Sequence, residues 1–249
     1  MQEYAIYRDI AARTMGNIYI GVVGPVRTGK STFIKRFMET LVLPAIPSDA
    51  DRTRARDELP QSAGGRTVMT TEPKFIPDES VKIKTPDGTE LNVKMVDCVG
   101  YMVGGALGGE EEGESRMVMT PWSEEEMPFA KAAEIGTEKV IREHATIGVL
   151  VTCDGTFGEI PRANYEAAEA RVASELREMG KPFVIVLNSQ KPASKEAESL
   201  ALELEQKYKA PVALVNCLEL DKEDIGHILE LVLMEFPVNE ICVKLPSFI

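Results

Sequence analysis

Histidine occurs twice and cysteine four times in 249 residues. His144 and His227 have no ligand partner at metal-binding spacing, so both read as ordinary helix residues. Cys98, Cys153, Cys217 and Cys242 lie far apart with no CxxC pair. That spacing argues against a zinc site and against a disulfide framework, and leaves reduced thiols in a cytosol as the expectation. No apolar run approaches the ~18 residues of a membrane span. The opening MQEYAIYRDI carries charges where a signal peptide would be apolar. Basic residues are in deficit, 28 Lys and Arg against 40 Asp and Glu, for a net charge of −12. The basic stripe of a duplex binder is missing, and no nucleic acid is expected as a partner. There is neither an internal repeat nor a low-complexity tail.

What is present is a core-forming chain, 44% hydrophobic, enough to fill one large domain. The apolar run IYIGVV at 18–23 breaks into Gly24-Pro25-Val26-Arg27-Thr28-Gly29-Lys30-Ser31-Thr32. This fits G-x-x-x-x-G-K-[ST] between a strand and a helix. Glycines let the backbone curl so that successive N–H groups face one oxyanion, and the following helix adds its positive end. Lys30 is then expected on the β- and γ-phosphates and Ser31 on Mg²⁺.

Which nucleotide is bound depends on the rest of the chain. Asp97-Cys98-Val99-Gly100 at a strand end is a DxxG, as in the second switch of the translation-factor class of P-loop GTPases. The carboxylate of Asp97 can hold Mg²⁺ through water, and Gly100 can bring its N–H to a γ-phosphate. Between the motifs lie Thr70 and Thr71, where a loop should supply a threonine to Mg²⁺ and the γ-phosphate. Guanine readers use N-K-x-D; here Asn188-Ser189-Gln190-Lys191 puts lysine in place of aspartate. An ammonium only donates, and so do guanine's N1–H and N2–H₂. That favours ATP, or lax base choice. Tyr101 stands where many GTPases carry a water-orienting Gln or His, and it is a poor base near pH 7. Slow turnover follows unless another group helps. Arg27 is the candidate, as an internal arginine finger in place of a structural cation.

The motif string GPVRTGKSTFIKRFM, DRTRARDELPQSAGGRTVMTTEPKF, KMVDCVGYMVGGALG and TPWSEEEMPFAKAAEIGTEKVIREHATIGVLVTCDGT resembles the stage IV sporulation protein A family, the coat-morphogenetic ATPases of endospore-forming bacteria. The resemblance covers essentially the whole chain. It implies an ATPase that uses ATP and Mg²⁺ and polymerises with itself into a layer on the outer forespore surface, in the mother-cell cytoplasm and later the spore coat. It further implies a small amphipathic membrane-anchoring peptide as partner, so that membrane contact is indirect, and other coat morphogenetic proteins. The family's binding and hydrolytic lysine, switch threonines and aspartate fall on Lys30, Thr70, Thr71 and Asp97. Three rivals stand beside this reading: a regulatory GTPase, a structural protein that binds nucleotide without cutting it, and a small-molecule kinase. The last has only the basic run Arg52, Arg54, Arg56 in its favour.

Residues 1–249 read as one α/β P-loop domain with an N-terminal helix. The ending LPSFI lacks a polar tail, so further domains are expected beyond it. Helices are expected over 2–14, 30–42, 129–145, 162–179, 195–208 and 222–235. Strands are expected over 18–23, 147–152, 183–188 and 212–216, with a hairpin of 81–85 and 90–97 around Pro86-Asp87-Gly88. This rhythm specifies a mostly parallel sheet with one antiparallel edge and helices on both faces. Residues 44–66 read mostly as loop, and 103–127 as a Gly-rich loop followed by an acidic one, Glu110–Glu112, Glu114 and Glu124–Glu126. The alternating segment 238–245 closes the chain. The N-terminal helix, with Ile6, Tyr7 and Ile10 on one face, could cover this sheet or a neighbouring subunit.

Overall fold

The computed structural model describes residues 3–60, 73–85, 88–106, 110–111, 114–120 and 123–237. Strand β1 (Asn17–Val23) runs through the middle of a six-stranded sheet, followed by β2 (Lys74–Lys84) and β3 (Glu90–Asp97). Short ladders β4 (Glu110–Glu111), β5 (Glu114–Ser115), β6 (Met117–Thr120) and β7 (Ser123–Pro128) come next, then β8 (Ile147–Cys153), β9 (Phe183–Asn188) and β10 (Val212–Val215). The large sheet has the order β10-β9-β8-β1-β3-β2, and all its pairings are parallel except β2 with β3. Every residue of β8 and β9 is buried. Central parallel strands are covered on both faces, which is why IGVLVTC and FVIVLN are continuous apolar runs.

Helices α1 (Glu3–Thr14), α2 (Lys30–Phe37) and α8 (Lys222–Met234) pack on one face. Ile6 and Ile10 join Phe33, Met38, Ile225 and Ile228 in one core cluster, so α1 covers its own sheet. Full burial of Ile10 contributes roughly 1.5–3 kcal/mol. On the other face α6 (Glu166–Glu178) and α7 (Lys195–Tyr208) bring Val172, Leu176 and Leu204 onto Leu150, Ile185 and Leu187. Helix α5 (Phe129–His144) lies on the same side, where Ile141 joins that cluster. Asp221 starts α8 with a capping box: it accepts from the Asp224 N–H at 2.9 Å, while Asp224 accepts from the Asp221 N–H at 3.2 Å.

Four expectations need correction. First, the stretch 44–66 contains α4 (Asp49–Asp57). Ser48 caps it by accepting from the Asp51 N–H at 3.3 Å, and its acids lead while Arg54 and Arg56 close it. This agrees with the helix dipole, a signal that a purely hydrophobic reading misses. Arg52 bonds Asp49 and the Ile46 carbonyl, and Arg54 pairs with Glu79; these arginines hold α4 rather than form a lid. Second, the helix opened by α2 passes through a π turn, Met38–Val42, into the short α3 (Leu43–Ala45). Third, the acidic segment is not all loop: β6 and β7 form a hairpin whose Val118 packs with Phe129 and Ala132 of α5. Fourth, the first hairpin strand begins at Lys74, not Val81. It bulges between Ile76 and Val81, so the two halves of β2 meet β3 in different registers. Beyond the bulge Val81 and Ile83 are buried while Lys82 and Lys84 are exposed. Thr70, Thr71 and segment 238–245 lie outside the described residues, as does Cys242.

Candidate nucleotide site

Because β1, β3, β8 and β9 are parallel, their C-terminal ends share one edge of the sheet, where ligands gather in open α/β folds. The loop 24–29 leaves β1 at that edge. Gly24 has φ 133, and a Cβ there would sit 2.2 Å from the Val151 carbonyl of β8. Gly29 has φ 96 and is the N-cap of α2. Arg27 also lies in the left-handed region, at φ 65, a conformation that is uncommon for a non-glycine residue. Inside the curl, the Thr28 hydroxyl donates to the Pro25 carbonyl at 3.0 Å, and Lys30 Nζ donates to the same carbonyl at 2.7 Å.

Lys30 is buried, and burial lowers its pKa from 10.5 to about 8, with the charge of Asp97 opposing that fall. Such an ammonium has lost most of its water and has few protein acceptors in exchange, which suits an incoming anion. Beside it the Ser31 hydroxyl donates to Asp97 Oδ2 at 2.6 Å. Burial raises the pKa of Asp97, while Ser31 and Lys30 both hold it down. Gly100 completes the group at φ 93; a Cβ there would be 2.5 Å from Lys30 Nζ and 2.6 Å from the Gly24 carbonyl. Lys30, Ser31, Asp97 and Gly100 are therefore gathered at one point. The donor set fits Mg·nucleotide: a hydroxyl and a carboxylate in contact offer hard oxygen ligands, and a buried cation stands next to them.

Asn188 is placed too, but as a brace. Its Nδ2 donates to the Thr28 carbonyl at 3.1 Å, and its Oδ1 accepts from the Cys217 N–H at 3.0 Å. It ties the phosphate loop to the segment after β10. Lys191 is exposed, and its N–H bonds Ser189 Oγ at 2.9 Å. Tyr101 does not stand ready to orient water: its hydroxyl donates to Glu175 of α6, and burial pushes its pKa up. Arg27 is half-buried and close enough that its charge lowers the pKa of Lys30 further. Within the loop Pro25, Val26 and Thr28 are buried, and Thr32 enters the first turn of α2.

Some supporting residues were not foreseen. Thr156 Oγ1 accepts from the Gln190 N–H at 3.0 Å, joining the loop after β8 to the loop after β9. Behind it Arg162 Nη2 bonds Glu169 Oε2 at 2.8 Å, with Thr152 donating to the same carboxylate. Glu169 shares the apolar face of α6 with Val172 and Leu176, and a lone acid at helical spacing on such a face was the available clue. Among the described residues no cluster of three potential metal-binding side chains occurs, and His144 and His227 lie exposed on their helices. Cys98, Cys153 and Cys217 are free and buried.

The family model described as "Stage IV sporulation protein A, ATPase domain" matches residues 1–237. Proteins named stage IV sporulation protein A from Bacillus anthracis and Bacillus subtilis (strain 168) are each 54% identical over 249 residues, 100% of this chain and 51% of each relative. The chain spans about half the length of the curated relatives it matches. Among solved structures, a variant of SsGBP is similar over 94% of this chain and 64% of its own, at 13% identity and a TM-score of 0.47.

Proposed function

The chain belongs to the stage IV sporulation protein A ATPase-domain family, and we propose that it binds Mg·ATP, hydrolyses it slowly, and so drives self-assembly of the longer protein to which it corresponds. The observation that carries this reading is the convergence at one point of buried Lys30, the Ser31–Asp97 contact at 2.6 Å and Gly100. Lys30 would hold the β- and γ-phosphates. Ser31 and Asp97 would hold Mg²⁺, which neutralises phosphate charge when bound. Gly100 would present its N–H to the γ-phosphate. Thr70 and Thr71 are assigned here by the family resemblance, with Thr71 as the further Mg²⁺ ligand. The Arg27 guanidinium would stabilise charge on the cleaved phosphate from within the loop. Turnover is slow because the hydroxyl of Tyr101 is committed to Glu175.

In this reading the layer forms in the mother-cell cytoplasm at the outer forespore surface. An amphipathic peptide supplies the membrane contact, and other coat morphogenetic proteins dock later. No described helix is long and apolar enough to cross a membrane. The test is phosphate release by the 249-residue chain with Mg·ATP, beside Asp97→Asn. Wild type should turn over, and the variant should bind without cutting. Absence of ATP binding by wild type in calorimetry would refute the reading. For assembly, full-length Asp97→Asn should bind ATP yet fail to pellet; robust polymers from a variant that cannot cleave would separate hydrolysis from assembly.

A further inference from the structure

The residue after the DxxG is tied at both ends. Its backbone makes a parallel bridge with Pro25: the Val26 N–H donates to the Tyr101 carbonyl at 2.9 Å, and the Tyr101 N–H donates to the Gly24 carbonyl at 3.2 Å. Its side chain is only 2% exposed, and its hydroxyl donates to Glu175 Oε2. The same carboxylate accepts from Arg171 Nε at 3.0 Å. Arg171 lies over the Tyr101 ring at 5.1 Å and reaches Glu134 of α5 at 2.6 Å. The segment that follows Gly100 is thus clamped from below by the phosphate loop and from the side by α5 and α6. A backbone held this way cannot drift from the phosphate loop, whereas a loop free at Tyr101 would have to be ordered by the ligand at a cost in affinity.

We propose that Tyr101 is a positioning residue: anchored by Glu175 and Arg171, it fixes Gly100 at one distance from the phosphate loop and so makes the site favour nucleotides that carry a γ-phosphate. The inference rests on the Mg·ATP reading above. Tyr101 touches no phosphate itself. It acts through Gly100, whose neighbours are Lys30 Nζ and the Gly24 carbonyl. A ligand with only two phosphates does not use the Gly100 side of the site, so the anchor matters little to it. A ligand with three does.

The experiment titrates Mg·ADP and a non-hydrolysable Mg·ATP analogue into the 249-residue chain by calorimetry. Tyr101→Phe keeps the ring under Arg171 and removes the hydroxyl; Glu175→Ala removes the acceptor; Glu175→Gln keeps one. Losing a hydrogen bond to a carboxylate should weaken the analogue about tenfold in the first two variants and leave ADP within about twofold. Glu175→Gln should restore the analogue to within about threefold of wild type. An unchanged analogue-to-ADP ratio in Tyr101→Phe and Glu175→Ala would overturn the proposal, as would an equal fall for both ligands, the mark of a purely structural role. If Tyr101→Phe does not fold, the two Glu175 variants decide. A wild-type chain that binds neither nucleotide refutes the Mg·ATP reading itself, a result distinguishable from failure of the anchor alone.

Discussion

Replacing Lys30 by Met should stabilise the ligand-free fold while it abolishes nucleotide binding. Burial lowers the Lys30 pKa from 10.5 to about 8. That fall corresponds to ~3 kcal/mol of native-state cost while the amine is charged. The sign follows from proton counting. Between pH 8 and 10.5 the unfolded chain binds the proton more tightly than the folded one, so stability rises with pH in that window. Below pH 8 the full cost is present in the wild type. Met removes it and fills similar volume. Two losses oppose the gain: the Pro25 carbonyl loses its 2.7 Å donor, about 1 kcal/mol, and Asp97 loses a nearby cation. The net expected at pH 7 is a gain of about 1–2 kcal/mol, or roughly 2–8 °C in Tm for a domain of this size. At pH 9.5 the wild type has recovered about 2 kcal/mol of the cost, so the advantage should vanish or reverse. Scanning calorimetry of both proteins without nucleotide at pH 7 and 9.5, at one salt concentration, measures this directly. A Lys30→Met protein less stable than wild type at pH 7, or an advantage that does not shrink with pH, would refute the account of Lys30 as a strained, ligand-ready cation.

Gly100→Ala should lower affinity for the ATP analogue at least tenfold by calorimetry, because the added methyl would meet Lys30 Nζ at 2.5 Å and the Gly24 carbonyl at 2.6 Å, on a backbone that disfavours L residues by ~1–2 kcal/mol. With Lys191 where a guanine-reading aspartate would be, ATP should compete at least as well as GTP; GTP binding tenfold tighter, a gap of ~1.4 kcal/mol, would reject that argument. Arg27→Ala should lower kcat by ~10³-fold with little change in binding if its guanidinium acts as a finger, and wild-type hydrolysis should not depend on potassium; phosphate-release assays with and without potassium check both.

The path of the sheet was legible because its signals are local. IYIGVV, IGVLVT and FVIVLN are too short for buried helices and too apolar for edge strands, and the glycines around Lys30 mark the loop without any tertiary information. Motif spacing marks Lys30, Ser31, Asp97 and Gly100, and the fold gathers those four at one point. What was not legible depends on distant partners. Nothing around Tyr101 says that its hydroxyl will find Glu175, 74 positions further on. Asn188 opens a degenerate base-reading motif, yet its amide is spent on Thr28 and Cys217, a role set by how two loops happen to meet. Helix α4 was hidden because its stability comes from capping and charge order rather than from an apolar stripe. The β6–β7 hairpin was hidden because three adjacent glutamates suppress the strand signal, although the opposite face is apolar enough to pack on α5.

The bulged edge strand bears on how such a domain tolerates crowding on a surface. Pro77 has no N–H to donate, the bulge between Ile76 and Val81 breaks the register, and Lys82 and Lys84 flank what remains. A second chain laid along β2 would find neither a continuous row of donors and acceptors nor a neutral strip to lie on. The opposite edge, β10, is only four residues long. On the assembly reading proposed above, copies packed side by side at high local density would each carry a sheet that resists zipping onto its neighbours. Polymers containing it should grow through side-chain surfaces, and their fibre diffraction should lack the ~4.7 Å meridional spacing of chains joined strand to strand.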